Sequence, residues 1–159
     1  MEQKEVAAVR FDKKHPFLTA LAVFVVAILG VYVFSMQENH LTQEQITALV
    51  EGDSQDLLLA IAQSKAPEAA ARPRGVRKIT RIDTAVDFYC GSGGKEESAA
   101  YCGFYYRPDG APDAVYCGAR FGLAEELQPE GDGFVIRRED RTYYTWHITD
   151  GFYYYEVQI

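Results

Sequence analysis

The sequence predicts an α+β protein: one N-terminal transmembrane helix, then two short helices packed on a curved antiparallel sheet of about six strands. Three observations carry this expectation. Residues 17–36 contain no charged side chain. Residues 41–65 space their apolar positions as helices do, and from Val76 onward the period falls to two, with Pro and Gly turn signals between the runs. The expected division is a cytoplasmic tail over 1–16, a transmembrane helix over 17–36, a helical pair and linker over 37–75, and an antiparallel β domain over 76–159.

Composition fits that plan. A chain of 159 residues suits one modest domain plus an appendage. With 25% charged and 48% hydrophobic residues it is no disordered polyelectrolyte. Its net charge of −7 argues against nucleic acid as a partner, because replacing phosphate counterions needs basic residues.

The uncharged run reads FLTALAVFVVAILGVYVFSM. At about 1.5 Å per residue it spans roughly 30 Å as a helix, the thickness of a hydrocarbon core, so membrane lipid is its expected partner. Being apolar all round, it suits lipid better than a soluble core. Lys4, Arg10, Lys13 and Lys14 precede it, whereas Gln37, Glu38, Asn39 and His40 follow. The positive-inside rule therefore places the N-terminus in the cytoplasm and residues 37–159 outside it, tethered to the cell membrane by a single pass. A cleaved signal peptide competes, with Val33 and Ser35 as the small residues of a cleavage site. The run exceeds the roughly 7–15 residues of a signal core, which favours an uncleaved anchor.

Thr42 and Gln45 have the spacing of a capping box, and Ile46, Leu49 and Val50 continue at helical spacing. Gly52 ends this helix, and Asp53 or Ser54 caps a second one carrying Leu57, Leu58, Leu59, Ile61 and Ala62 to about Lys65. The pair ALVEGDSQDLLLAIA, residues 48–62, resembles the openings of cone-shaped α+β domains related to nuclear transport factors. That likeness covers fifteen residues and implies helices laid on a curved sheet. Pro67, Pro73 and Gly75 make 65–75 a linker, beside the basic cluster Arg72, Arg74, Arg77, Lys78 and Arg81. This cluster is read as a solvated face, with anionic headgroups or cell-wall polymers as the alternative.

The β region begins with Ile82, Val86, Phe88 and Cys90 on one face of a strand and Asp83 and Asp87 on the other. Residues 91–98 form a loop, 101–107 a second strand, and Pro108-Asp109-Gly110 a turn. Val115, Cys117, Ala119 and Phe121 line a third strand, and a turn over 129–133 precedes a strand over 134–138. Asp150-Gly151 suits a two-residue type I′ turn. Folding about it sets Ile148 opposite Tyr153, Trp146 opposite Tyr155 and Tyr144 opposite Val157, all on one face. His147 then faces Tyr154, Thr145 faces Glu156 and Tyr143 faces Gln158 on the other face.

Ten of the eleven Tyr lie between positions 89 and 155, several as adjacent pairs. Neighbours in a strand point to opposite faces, so one ring of each pair is expected to leave the core. Tyr105, Tyr143, His147 and Tyr154 are the expected ligand-binding residues on this outer face, suited to a protein, peptide or glycan partner. The alternative is that these rings cover the second sheet face or pack under the helices. Of Cys90, Cys102 and Cys117, the first two flank a Gly-rich loop, and an extracytoplasmic disulfide between them is expected. A Cys102–Cys117 bridge across the second hairpin and three reduced, buried thiols are the alternatives.

Catalytic signatures are missing from the sequence. His147 has Tyr and Thr for neighbours, so nothing in the spacing brings a Cys to it as a base would require. There is no paired CxxC or HxxxH spacing for zinc, and the acidic stretch Glu125, Glu126, Glu130 and Asp132 lacks the alternation of a calcium loop. Neither metal nor cofactor is expected. The expected function is that of a membrane-anchored interaction or sensor domain without catalytic activity. One alternative resembles the minor type IV pilins, which share a basic leader, an apolar N-terminal helix and a C-terminal sheet. Pro16 stands where their processing site has Gly, and Ala where their helix has Glu. A thiol or cell-wall enzyme is the other alternative.

Overall fold

The computed structural model describes residues 41–92 and 100–159, within one compact unit over 39–159. The expected tail over 1–16 and transmembrane helix over 17–36 lie outside the described residues. Among the described residues no helix is long and apolar enough to cross a membrane.

Two nine-residue helices open the described chain, α1 (Gln43–Glu51) and α2 (Gln55–Gln63). The capping box forms as expected: Gln45 N–H donates to Thr42 Oγ1 at 3.3 Å, and Thr42 N–H donates to Gln45 Oε1 at 2.9 Å. Gly52 ends α1. Helices this short are marginal alone, so packing must hold them. Ile46 and Val50 from α1 and Leu58, Ile61 and Ala62 from α2 are buried against the sheet.

The sheet has seven strands where about six were expected: β1 (Lys78–Ile82), β2 (Ala85–Ser92), β3 (Ala100–Tyr106), β6 (Gln128–Glu130), β7 (Gly133–Arg137), β8 (Thr142–Thr149) and β9 (Phe152–Gln158). Their order is β1-β2-β3-β9-β8-β7-β6, with antiparallel pairing throughout. A separate hairpin pairs β4 (Val115–Tyr116) with β5 (Ala119–Arg120). Helices on one face of an antiparallel sheet make the domain α+β, as the sequence implies.

Three readings of the β region are corrected. The strand expected to run from Ile82 to Cys90 is broken by a tight turn at Asp83-Thr84, with Asp83 at φ 53°. The strand expected from Val115 to Phe121 folds back at Cys117-Gly118, where φ is 50° and 81°. The last hairpin turns at Asp150-Gly151 as expected, with φ of 40° and 80°. However, a bulge at Ile148 shifts its register by one. His147 therefore pairs with Tyr153, Trp146 with Tyr154, Thr145 with Tyr155 and Tyr143 with Val157. One extra residue moves every expected partner, because the side-chain period is two.

Both faces of the sheet are covered. Under the helices lie Val86, Phe88, Phe104, Tyr106, Phe152 and Tyr154, with the Phe88 and Phe104 rings stacked at 4.7 Å. On the opposite face Tyr105, Tyr143, Tyr153, Tyr155 and Val157 are roofed by Ala114 and Val115 of the segment that joins β3 to β6.

Candidate functional site

The expected outer face of tyrosines is corrected by this roof. Tyr105 and Tyr143 are fully buried and Tyr154 is 4% exposed. Tyr105 and Tyr143 lie under the roof, Tyr154 lies under the helices, and only His147 is exposed, its ring edge-on to Tyr153 at 5.1 Å. These four residues are not brought together. The alternative reading, rings covering the second face and packing under the helices, is the one the structure bears out.

The buried hydroxyls explain why Tyr rather than Phe fills the roofed face. Irregular backbone beneath a roof must find partners for its N–H and C=O groups. Asp113 N–H donates to Tyr105 Oη at 2.8 Å, and Cys117 N–H donates to Tyr155 Oη at 3.2 Å. Tyr143 Oη donates to the carbonyls of Asp113 and Val115, and Tyr153 Oη donates to that of Gly110 at 2.7 Å. Four rings thus tether residues 110–117 to the sheet.

Two buried carboxylates add to this anchoring. Asp113 accepts from Arg120 Nη1 at 2.8 Å, from Arg107 Nη1 at 3.0 Å and from Ala114 N–H at 2.8 Å. Both its oxygens are occupied and it is fully buried. Asp87 accepts Gly118 N–H at 2.6 Å through Oδ2, while Oδ1 has no hydrogen-bond partner among the described residues. Burial pushes this carboxyl up from its ordinary 3.8 to about 7, against the opposing pull of Tyr155, Gly118 N–H and Lys78. A Cβ on Gly118 would stand 2.9 Å from Thr80 Oγ1 and 3.0 Å from Lys78 Nζ, so the Cys117-Gly118 turn lies directly on β1 and β2.

All three thiols are free, and the expected Cys90–Cys102 bridge is not formed. Cys90 sits at the irregularity between Tyr89 and Gly91, and its Sγ donates to Phe88 O, whereas Cys102 Sγ donates to Leu41 O. Burial pushes every thiol upward, Cys102 to about 11 and Cys117 to about 12, so none is primed as a thiolate. Among the described residues no group of three or more His, Cys, Asp and Glu is placed to hold a metal ion.

Among the described residues a concave surface lies between the β4–β5 hairpin and the β7–β8 turn. Two depressions adjoin there, of about 370 and 300 Å³, sharing Tyr116 and Arg141. Phe121, Glu139 and Asp140 border the first; Tyr101, Val157 and Ile159 border the second. A run of ring contacts connects this cleft with the core: Tyr101 to Tyr116 at 6.4 Å, Tyr116 to Phe121 at 5.8 Å, Phe121 to Tyr143 at 5.4 Å and Tyr143 to Tyr155 at 6.1 Å. Arg141 lies over the Phe121 ring at 5.9 Å, within cation–π range. Such a surface offers aromatic contact, hydrogen-bond donors and carboxylate acceptors, which are the means of binding.

Sequence reasoning missed Tyr116, Phe121 and Arg141. The available signal was Cys117-Gly118, since Gly at the second position of a two-residue loop is what a type I′ turn favours. Comparison with protein-family models, curated proteins and solved structures finds no match to this chain.

Proposed function

We propose that the protein is a single-pass, membrane-anchored extracytoplasmic interaction or sensor domain without catalytic activity, and that it binds its partner in the Tyr116–Arg141 cleft. The carrying observation is the tethered roof: four buried Tyr hydroxyls and two buried carboxylates hold the segment that forms one wall of the cleft. A wall fixed in advance loses little entropy on binding. The anchor rests on the uncharged run over 17–36, and the orientation rests on the Lys and Arg before it. The capping box at Thr42 starts α1 afresh, which counts against the continuous helix of a pilin-like subunit. Upward-shifted thiols and a His147 set against Tyr153 count against a thiol enzyme.

Photo-crosslinking in intact cells tests the site. A photoreactive residue replacing Leu123, which is 54% exposed and two residues beyond Phe121 of the cleft, should give a discrete adduct. One replacing Leu57, 55% exposed on α2, should not. Equal yields from both positions would refute the assignment of the cleft. A tag after Ile159 that resists a membrane-impermeant label on those cells, while one at Met1 reacts, would refute the topology.

A further inference from the structure

The charges around the cleft decide what kind of ligand it can take. Three guanidinium groups border it, which by itself would point to an anion. Two of them are already neutralised. Arg120 holds Asp83 through Nε and Nη2 at 3.1 and 2.7 Å and holds Asp113 through Nη1. Arg138 Nη2 donates to both oxygens of Glu126, at 2.9 and 2.8 Å. Arg141 reaches Asp140 only through Nε, at 3.5 and 3.4 Å to the two oxygens, and its Nη groups have no partner among the described residues.

Carboxylates accompany these cations. Glu139 and Asp140 border the same depression, and both are exposed. An incoming anion would meet one guanidinium that is only loosely paired, beside two carboxylates, so attraction and repulsion largely cancel over these distances. What the charges do supply is both halves of hydrogen bonding: donors on Arg141, acceptors on Glu139 and Asp140. Tyr101 and Tyr116, both half-buried, supply aromatic surface in the adjoining depression.

A polyhydroxylated ring uses all of these at once. Its hydroxyls donate and accept around the edge, its C–H faces rest on aromatic rings, and it brings no charge. We propose that the two depressions are adjoining subsites for consecutive units of a neutral glycan chain. This inference rests on the reading of the cleft as the binding surface, and it names the class of ligand.

The full-length chain in detergent micelles is titrated by calorimetry, with saturation-transfer NMR as a second readout. The probes are the neutral trimers of glucose and of N-acetylglucosamine, the two monomers, an anionic hyaluronan tetrasaccharide and an acidic hexapeptide. A neutral trimer should bind with an affinity on the order of 1 mM, as a shallow and exposed cleft permits. It should bind about tenfold more tightly than its monomer, because two subsites are filled instead of one. Arg141→Leu should weaken the trimer about tenfold, since this exposed side chain can be lost without disturbing the core. Leu57→Ser on α2 should leave binding unchanged. Tighter binding of hyaluronan or of the acidic peptide, equal binding of trimer and monomer, or indifference to Arg141→Leu would each overturn the proposal. If neither trimer binds while crosslinking beside the cleft still captures a protein, the ligand class falls and the cleft stands. If crosslinking fails as well, both fall.

Discussion

Asp87→Asn should remove one pH-dependent contribution from the stability of the domain. In the folded protein the Asp87 carboxyl is raised from 3.8 to about 7, chiefly by burial. The unfolded chain releases this proton near the ordinary value, whereas the folded chain keeps it until near neutrality. Between those limits the folded state binds more protons at Asp87, so this group's contribution to stability is greatest below about pH 4, falls as pH rises, and levels off above pH 7. A shift of about 3 units corresponds to on the order of 4 kcal/mol. For a domain of this size that is roughly 10–20 °C in Tm. Asn keeps an acceptor for Gly118 N–H without ever charging. The variant should therefore match the native protein near pH 4 and exceed it at pH 8 by up to that amount. Groups facing the site from other elements are Lys78 on β1, Tyr155 on β9 and Cys117 at the β4–β5 turn. Carboxyls held low by hydrogen bonds, such as Asp109 by Arg107 and Glu68 by backbone N–H groups, give the opposite slope. They are common to both proteins and drop out of the difference. The assay is thermal unfolding of the full-length chain in detergent, followed by near-ultraviolet circular dichroism from pH 4 to 8. A native-minus-variant difference that stays constant across this range would refute the account of a carboxyl buried without a full set of partners.

Two further outcomes test the surroundings of the cleft. Asp113→Ala removes the shared partner of Arg107 and Arg120 from a fully buried position, at a cost of about 3 kcal/mol in the same unfolding assay. A loss below about 1 kcal/mol would mean that water readily replaces the carboxylate there. In the folded protein at pH 8, iodoacetamide should leave Cys90 and Cys102 unmodified. It should label Cys117 roughly two to three orders of magnitude more slowly than a free thiol, because its pKa near 12 leaves little thiolate. Mass spectrometry before and after denaturation reads both results, and rapid native labelling of Cys90 would contradict the burial.

The helical pair was legible because its signals are local. A capping box spans four residues, Gly52 stops the first helix, and apolar spacing alone identifies the buried stripe. The Asp150-Gly151 turn was legible for the same reason. Side-chain direction around it was not, since a single bulge at Ile148 exchanges the two faces of β8 and no residue near it announces a bulge. Tyr143 illustrates the consequence: placed opposite Gln158 by the simple register, it was expected outside, yet it pairs with Val157 and is fully buried. The cleft was illegible for a further reason. Its walls come from residues 101, 116–121, 138–141 and the C-terminal end of β9, which only the sheet order brings together.

Why the chain invests so heavily in tyrosine follows from the roof. Residues 107–127 cross one face of the sheet with only short secondary structure of their own, so their backbone groups cannot all pair within a ladder. Phenylalanine would supply the apolar area and leave those groups unpaired, at about 1–3 kcal/mol each where buried. Tyrosine supplies both the area and a hydroxyl at the depth of the covering chain. This reverses the meaning of the aromatic enrichment: the rings most abundant in the sequence build the floor, and the less numerous Tyr101, Tyr116 and Phe121 at its margin are left partly open. Because Phe121 stacks on Tyr143, and Tyr143 holds the carbonyls of Asp113 and Val115, a disturbance of the floor should be felt in the cleft. Binding and stability are thus expected to share residues here, and substitutions at the exposed rim, such as Arg141, are the ones that can separate them.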